Sequence, residues 1–391
     1  MLTTRNFRLF CLALSAPRQG DEHRSALRQA VAANPRWEAV LAGARRHAVA
    51  PLLLAGLQGN ASAVPDVVID ELRHEAHTAA RHSLAQAAAL TRLCRRFSEL
   101  GLRVLVLKGI PLAQRLYGDP GLRSAQDIDL FVDPTDVEAA DAVLHETGHR
   151  PTDTFLPGQT RAFHRRWFKE ATYDHPGYGR VELHHRLTDL AELLPWDFAS
   201  LWRERDEVQF GGVAVPVLGR RHLACYLCAH GAEHAWQRLR WLTDLAALLR
   251  EPGELDIALG EAEAAGLTAP MLHAVTLAHD WLGLRVGEDI LARARADRPV
   301  KRLDRILAHS YAGDAWHIMP RRGSLAALLR YSLWQRLYRL SIKPVWRYRL
   351  RLLRRELISP ADWAAVPLPA RLFWLYPLIR PFGWLLRRRL H

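Results

Sequence analysis

Apolar positions recur at three- and four-residue spacing through the first hundred residues, over 24–33, 36–57 and 67–100, in segments rich in Ala, Leu, Arg and Glu. The pattern predicts helices there, broken at Asn34-Pro35 and around Gly59-Asn60. Gly101 ends the last of them, and the texture changes. Residues 103–107 form an apolar, β-branched run with the character of a buried strand. A short helix over 112–117, a strand over 128–132 and a helix over 135–147 follow, the last with Thr135 and Glu138 spaced as a capping box. Two hairpins come next. One joins 163–173 to 180–187 through Asp174-His-Pro-Gly-Tyr-Gly179, and the other joins 208–210 to 213–217 through Gly211-Gly212. Helical periodicity resumes at Arg221 and runs to about Leu307.

This order predicts an α+β protein: a helical N-terminal region at 1–100, a compact α/β core with a mixed sheet at 101–218, a helical region at 219–320 and a distinct tail at 321–391. A chain of 391 residues exceeds one ordinary domain, so two or three units are expected. With 49% hydrophobic and 24% charged residues, the composition is that of a folded chain rather than a disordered one.

Charge is distributed unevenly. Residues 321–391 hold sixteen Lys/Arg against Glu356 and Asp362, a local +14 within a total of +13, so the other 320 residues sum to about −1. The basic character therefore carries no information about ligands of the core. In the tail, Arg alternates with Trp334, Trp346, Trp363, Trp374 and Trp384. That mixture suits an interfacial helix on anionic lipid or, equally, a helical cap with a charged outer face. Its high apolar content and the near-neutral core both argue against nucleic acid as a partner. The cysteines, Cys11, Cys94, Cys225 and Cys228, form no disulfide framework for this length and fit a reducing cytoplasm. The apolar run near the N-terminus spans only about eight residues, at the low end for a signal peptide, and no run of about 18 apolar residues predicts a spanning helix. The expectation is a cytoplasmic protein whose tail can touch the inner face of the membrane.

The chemistry concentrates between 104 and 132. The strand 104–107 ends in Lys108-Gly109, then Arg123 precedes Asp127-Ile128-Asp129 at the head of the next strand. Side chains alternate along a strand, so Asp127 and Asp129 share a face. Paired carboxylates, a glycine that lets backbone N–H groups approach phosphate, and the cations Lys108 and Arg123 suit a divalent metal carrying a nucleoside triphosphate. Glu182, in Val181-Glu182-Leu183-His184, has the alternation to supply a third carboxylate, with His184 supporting it from the same face. Further on, His230, His234, Arg238 and Trp241 are spaced four, four and three. That spacing predicts one stripe of a continuous helix lining the nucleotide cleft, His or Arg contacting phosphate, or else residues that pair helices, as Asp244 can. Cys225-x-x-Cys228 with these histidines has ligand-type residues, but on one helix they do not converge tetrahedrally, so buried thiols are expected instead of zinc.

Taken together, Lys-Gly…Leu-Tyr…Arg…Asp-Ile-Asp-Leu, then Glu-Leu-His, then His…His-x-Trp-x-Arg-Leu…Leu-x-Asp-Leu, resembles a large bacterial family of uncharacterised nucleotidyltransferases. The strand, glycine turn and Asp-x-Asp are similar to the DNA polymerase β-like superfamily. The resemblance spans about residues 80–250. It implies a polymerase-β-like core, Mg²⁺ or Mn²⁺ on Asp127, Asp129 and Glu182, and Gly109 at the triphosphate turn. It also implies transfer of a nucleoside monophosphate from an NTP such as ATP to an acceptor: a small molecule, a peptide or a glycan precursor. The sequence departs from the superfamily in following Gly109 with Ile110-Pro111, where Ser or Gly is usual. A non-catalytic nucleotide-binding scaffold of a biosynthetic assembly at the membrane surface is the alternative. Intact clustered carboxylates argue against it, because their mutual repulsion is costly to retain without a use.

Overall fold

The computed structural model describes residues 5–15, 20–152, 165, 167–311, 316, 325–356, 366 and 368–379. The chain opens with α1 (Arg5–Ser15), α2 (Asp21–Ala32), α3 (Trp37–His47), α4 (Ala50–Leu57) and α5 (Asp66–Glu99). The sheet region holds β1 (Val104–Val106), α6 (Ile110–Tyr117), β2 (Asp127–Val132), α7 (Val137–Glu146), β3 (Arg150–Pro151), β4 (Glu170–His175), β5 (Gly179–His184), α8 (Phe198–Arg203), β6 (Asp206–Phe210) and β7 (Val213–Val217). Then come α9 (Arg220–Glu233), α10 (Leu239–Leu249), α11 (Glu254–Ala264), α12 (Thr268–Leu282), α13 (Glu288–Ala296) and α14 (Arg298–Ser310). Two basic helices, α15 (Leu325–Ile342) and α16 (Trp346–Glu356), follow.

The seven strands form one mixed sheet in the order β3-β4-β5-β2-β1-β7-β6. β2 runs antiparallel to β1 and parallel to β5, while β1 runs parallel to β7. Both expected hairpins are present, β4–β5 and β6–β7. In the second, Gly211 and Gly212 both take positive φ, which two side-chain-bearing residues would resist.

Alternation along the strands assigns the two faces. Ile128, Leu130 and Val132 of β2, with Val181 and Leu183 of β5, enter a small core against the C-terminal half of α5 and α7. Phe131 and Leu105 point the other way, into a larger core shared by the N-terminal helices and α9 to α16. Asp127, Asp129, Glu182 and His184 lie in phase with that second face. A cleft therefore forms between a polar strip of sheet and a wall of helices.

Three local expectations change. The 36–57 segment is two helices, because Ala48 turns left-handed between α3 and α4 (φ 53°). The capping box at Thr135 does not form: α7 begins at Val137, and Thr135 instead donates through N and Oγ1 to Asp133. The helix expected to carry His230 through Trp241 breaks after Glu233. Ala235 and Trp236 adopt positive φ there, and Trp236 drops into the core, its Nε1 donating to Tyr338 Oη at 3.0 Å. Gly231 makes room for that ring, since a Cβ would lie 2.2 Å from Trp236 Cζ3. Parts of the expected 163–173 strand, and most of 357–391 including Trp363 and Trp384, lie outside the described residues.

Candidate active site

Asp129 and Glu182 are register partners on the parallel strands β2 and β5, and Asp127 pairs with Arg180 one pleat away. Asp129 is fully buried, yet it is ionised by what surrounds it. Burial opposes its charge, but Lys108 and His184 outweigh that and hold its carboxyl well below the usual range. Lys108 Nζ lies 2.6 Å from Asp129 Oδ1 and 3.5 Å from Asp127 Oδ1. Burial likewise works against the lysine charge, and Asp129, Asp127 and Glu182 together hold the ammonium above its ordinary range. His184 Nε2 lies 3.2 Å from Asp129 and 3.4 Å from Glu182, while its Nδ1 faces Glu170 at 3.2 Å. Burial and Lys169 push the imidazole down, but these carboxylates reverse the balance and raise it.

The donor set fits a hard divalent cation. Ligand atoms of Asp129, Glu182 and His184 lie within 4.8 Å of one another. Asp129 Oδ2 is buried without a hydrogen-bond partner among the described residues, an orphaned acceptor of the kind a cation satisfies. Lys108 and His184 share the carboxylates, which is how a protein holds such a cluster together by itself.

The cleft beside this cluster has a volume of about 410 Å³. Its floor is Lys108, Asp127, Glu170 and Glu182. Its wall is His230, Glu233 and His234 from the end of α9, Arg238, Arg240 and Trp241 from the start of α10, and Arg339 and Arg355 from α15 and α16. Several cations here are already paired: Lys169 with Glu170 at 2.9 Å, Arg355 with Asp189 at 2.6 Å, and Arg339 with Glu356. Arg238 and Arg240 differ. They donate to neutral oxygens, Gln126 Oε1 and Ser124 O, and form no ion pair among the described residues. Arg240 is buried with its Nε unsatisfied, and burial followed by nearby Arg123 lowers it to about 10.

The histidines of the wall are neutral near pH 7. Desolvation and His234 push His230 far down, and desolvation with Lys169 and Arg339 brings His234 to about 4, although His234 is exposed at the cleft. Trp241 packs against both rings, with centroids at 5.2 and 4.9 Å. Glu233 shifts the other way. Burial, then Asp189, lifts its carboxyl to about 7.

Of the residues expected at the site, Lys108, Asp127, Glu182, His230, His234 and Arg238 line the cleft, with Asp129 and His184 just beneath its floor. The stripe on one helix is replaced by a helix end, a left-handed turn and a helix start that face the same space. Gly109 precedes α6 with φ +82°, a conformation that disfavours any side chain, and Ile110 turns away into the small core. Arg123 is the correction. It is buried outside the cleft lining, donating from Nε to Asp244 Oδ2 at 2.8 Å, while Tyr117 Oη donates to Asp244 Oδ1 at 2.9 Å. The Leu-Tyr, Arg and Leu-x-Asp-Leu signatures thus meet one another in a bolt between the sheet region and α10. Sequence reasoning missed Lys169, Glu233, Arg240, Arg339 and Arg355. Lysine scarcity was the available signal for one of them: the chain has four lysines, and Lys108 and Lys169 both line the cleft.

With this geometry in view, the chain belongs to the family described as uncharacterised nucleotidyltransferase, whose model matches residues 33–283. That span covers the carboxylate cluster, the bolt and both helices of the histidine turn, and it assigns the protein to the nucleotidyltransferases. Among solved structures, the chain is similar to an antigenic nucleotidyltransferase-like protein from Paracoccidioides brasiliensis, at 14% identity, over 53% of this chain and 96% of that one, with a TM-score of 0.30. Comparison with curated proteins gives no match.

Proposed function

We propose that the protein transfers a nucleoside monophosphate from an NTP to a hydroxyl, phosphate or similar acceptor, releasing pyrophosphate. The observation that carries this reading is the in-register pair Asp129–Glu182, with Asp127 and Glu182 at the floor of a cleft walled by cations and Asp129 just beneath it. Asp127, Asp129 and Glu182 would hold Mg²⁺ or Mn²⁺, and the bound cation would neutralise charge on the triphosphate and on the departing pyrophosphate. Lys108, Arg238 and Arg240 serve the triphosphate, the two arginines because no carboxylate among the described residues pairs with them. His184 orients Asp129 and Glu182 through Nε2 and is itself steadied by Glu170. Trp241, with the neutral ring of His230 set edge-on to it and that of His234 tilted against it, offers an aromatic surface for the base. Glu233 is the carboxyl to accept the acceptor's proton, since it makes no ion pair among the described residues and titrates near pH 7.

The test is incubation with each labelled NTP, Mg²⁺ and a cell extract, with Asp129→Ala as control. A labelled product formed by the native protein and absent with the variant identifies base and acceptor together. Failure of the native protein to bind or consume any NTP at millimolar metal overturns the reading.

A further inference from the structure

Helix α16 carries two opposed stripes. Tyr348 and Leu352 are buried, and Arg355, three residues on, pairs with Asp189 at the wall of the cleft. The spacing of four and three keeps these residues on one face. Trp346, Leu350 and Leu353 repeat the same spacing two residues earlier in phase, and they are 66%, 56% and 48% exposed. Exposed Arg347, Arg351 and Arg354 lie beside that outer stripe, Arg351 paired with Glu192. On α15, Leu329 and Leu333 form a second outward pair, each 52% exposed.

Scattered exposed leucines are ordinary on a protein surface. These are not scattered: eight of the twelve exposed large hydrophobic side chains among the described residues fall between 329 and 378, inside the stretch of net charge +14. A helix with one apolar stripe toward its own core needs no second one. A second stripe edged by arginines matches a surface where acyl chains lie under anionic headgroups, the stems of the arginines packing beside the apolar side chains and their heads reaching phosphate. Nucleic acid would reward the arginines and leave Trp346, Leu350 and Leu353 without a partner. No helix among the described residues is long and apolar enough to cross a membrane, so the contact would lie on the surface.

We infer that α16, with the outward face of α15, docks on an anionic lipid surface. Trp346, Leu350 and Leu353 enter the acyl boundary, and Arg347 and Arg354 meet the headgroups. Because Arg355 lies on the opposite face of the same helix, docking leaves the cleft on the side of α16 turned away from the lipid. The inference stands independently of which reaction the cleft performs.

Flotation of the full chain with phosphatidylcholine vesicles, with and without phosphatidylglycerol, is the test. Native protein is expected to float with the anionic vesicles. The triple variant W346S/L350S/L353S, unchanged in charge and altered only at exposed positions, should lose at least about tenfold in partitioning. Trp346→Phe should float like the native chain, which separates a folding fault from lost insertion. Equal flotation of native and triple variant overturns the inference, as does absence of native flotation. Capture of RNA in place of vesicles, undiminished by the serine substitutions, overturns it too.

Discussion

Two buried cation–carboxylate pairs, Arg123–Asp244 and Lys108–Asp129, differ in kind. In the bolt, Asp244 has one oxygen taken by Arg123 and the other by Tyr117, so its acceptors are spoken for. In the cleft, Asp129 Oδ1 takes both Lys108 and His184 while Oδ2 has no partner among the described residues, and two further carboxylates crowd the same lysine. The saturated pair is architecture. The unsaturated one has room for something else, and that distinction separates structural from functional ion pairs more reliably than burial, which is nearly complete in both.

The comparison predicts opposite consequences for similar substitutions. Asp244→Ala strands the Arg123 guanidinium in the interior and should destabilise the fold by about 3–5 kcal/mol in urea unfolding. Asp129→Asn leaves Lys108 with Asp127 and Glu182 nearby, so it should lower stability by less while removing activity. A larger loss from Asp129→Asn than from Asp244→Ala would reverse the assignment.

Glu233, an acid of the wall, sharpens the contrast. With its carboxyl at about 7, Glu233 keeps its proton below that pH and becomes a base above it, so kcat should climb as pH rises through about 7. Glu233→Gln should lower kcat by about 10²–10³-fold and flatten that limb. Survival of the limb in the variant would assign it to another group.

The arginines extend the same logic at smaller scale. Arg240→Gln should raise KM for the NTP by about tenfold to thirtyfold, the loss of a charged hydrogen bond worth about 1.5–2 kcal/mol, with little change in unfolding free energy. Arg123→Gln should do the reverse, lowering stability while leaving KM near native. Steady-state kinetics and urea midpoints on the two variants decide whether paired and unpaired cations divide as described.

Much of this was legible in the sequence. Periodicity located most strands and helices, because alternation and the 3.6-residue repeat are local properties, and missed the two-residue β3. The pairing of Glu182 with Asp127 and Asp129 followed from alternation once both segments were recognised as strands. Arg123 was misread because its spacing from Asp127 does not reveal Asp244, which lies 121 residues away. The wall was only half legible. A continuous helix was the natural reading of 221–241, and nothing local announces that Trp236 leaves it to satisfy Tyr338. Arg339 and Arg355 reach the cleft from a basic segment whose composition points outward, and only packing shows that its inner stripe faces the site.

The central claim is that the Asp129–Glu182 floor holds a metal-bound nucleoside triphosphate. Calorimetric titration with a non-hydrolysable NTP analogue, with and without Mg²⁺, tests it on native protein, Asp129→Asn and Arg123→Gln. The account predicts Mg²⁺-dependent binding by the native chain and Arg123→Gln, and a loss of about a hundredfold or more in Asp129→Asn. Equal affinity of native and Asp129→Asn protein, or binding indifferent to Mg²⁺, would contradict it.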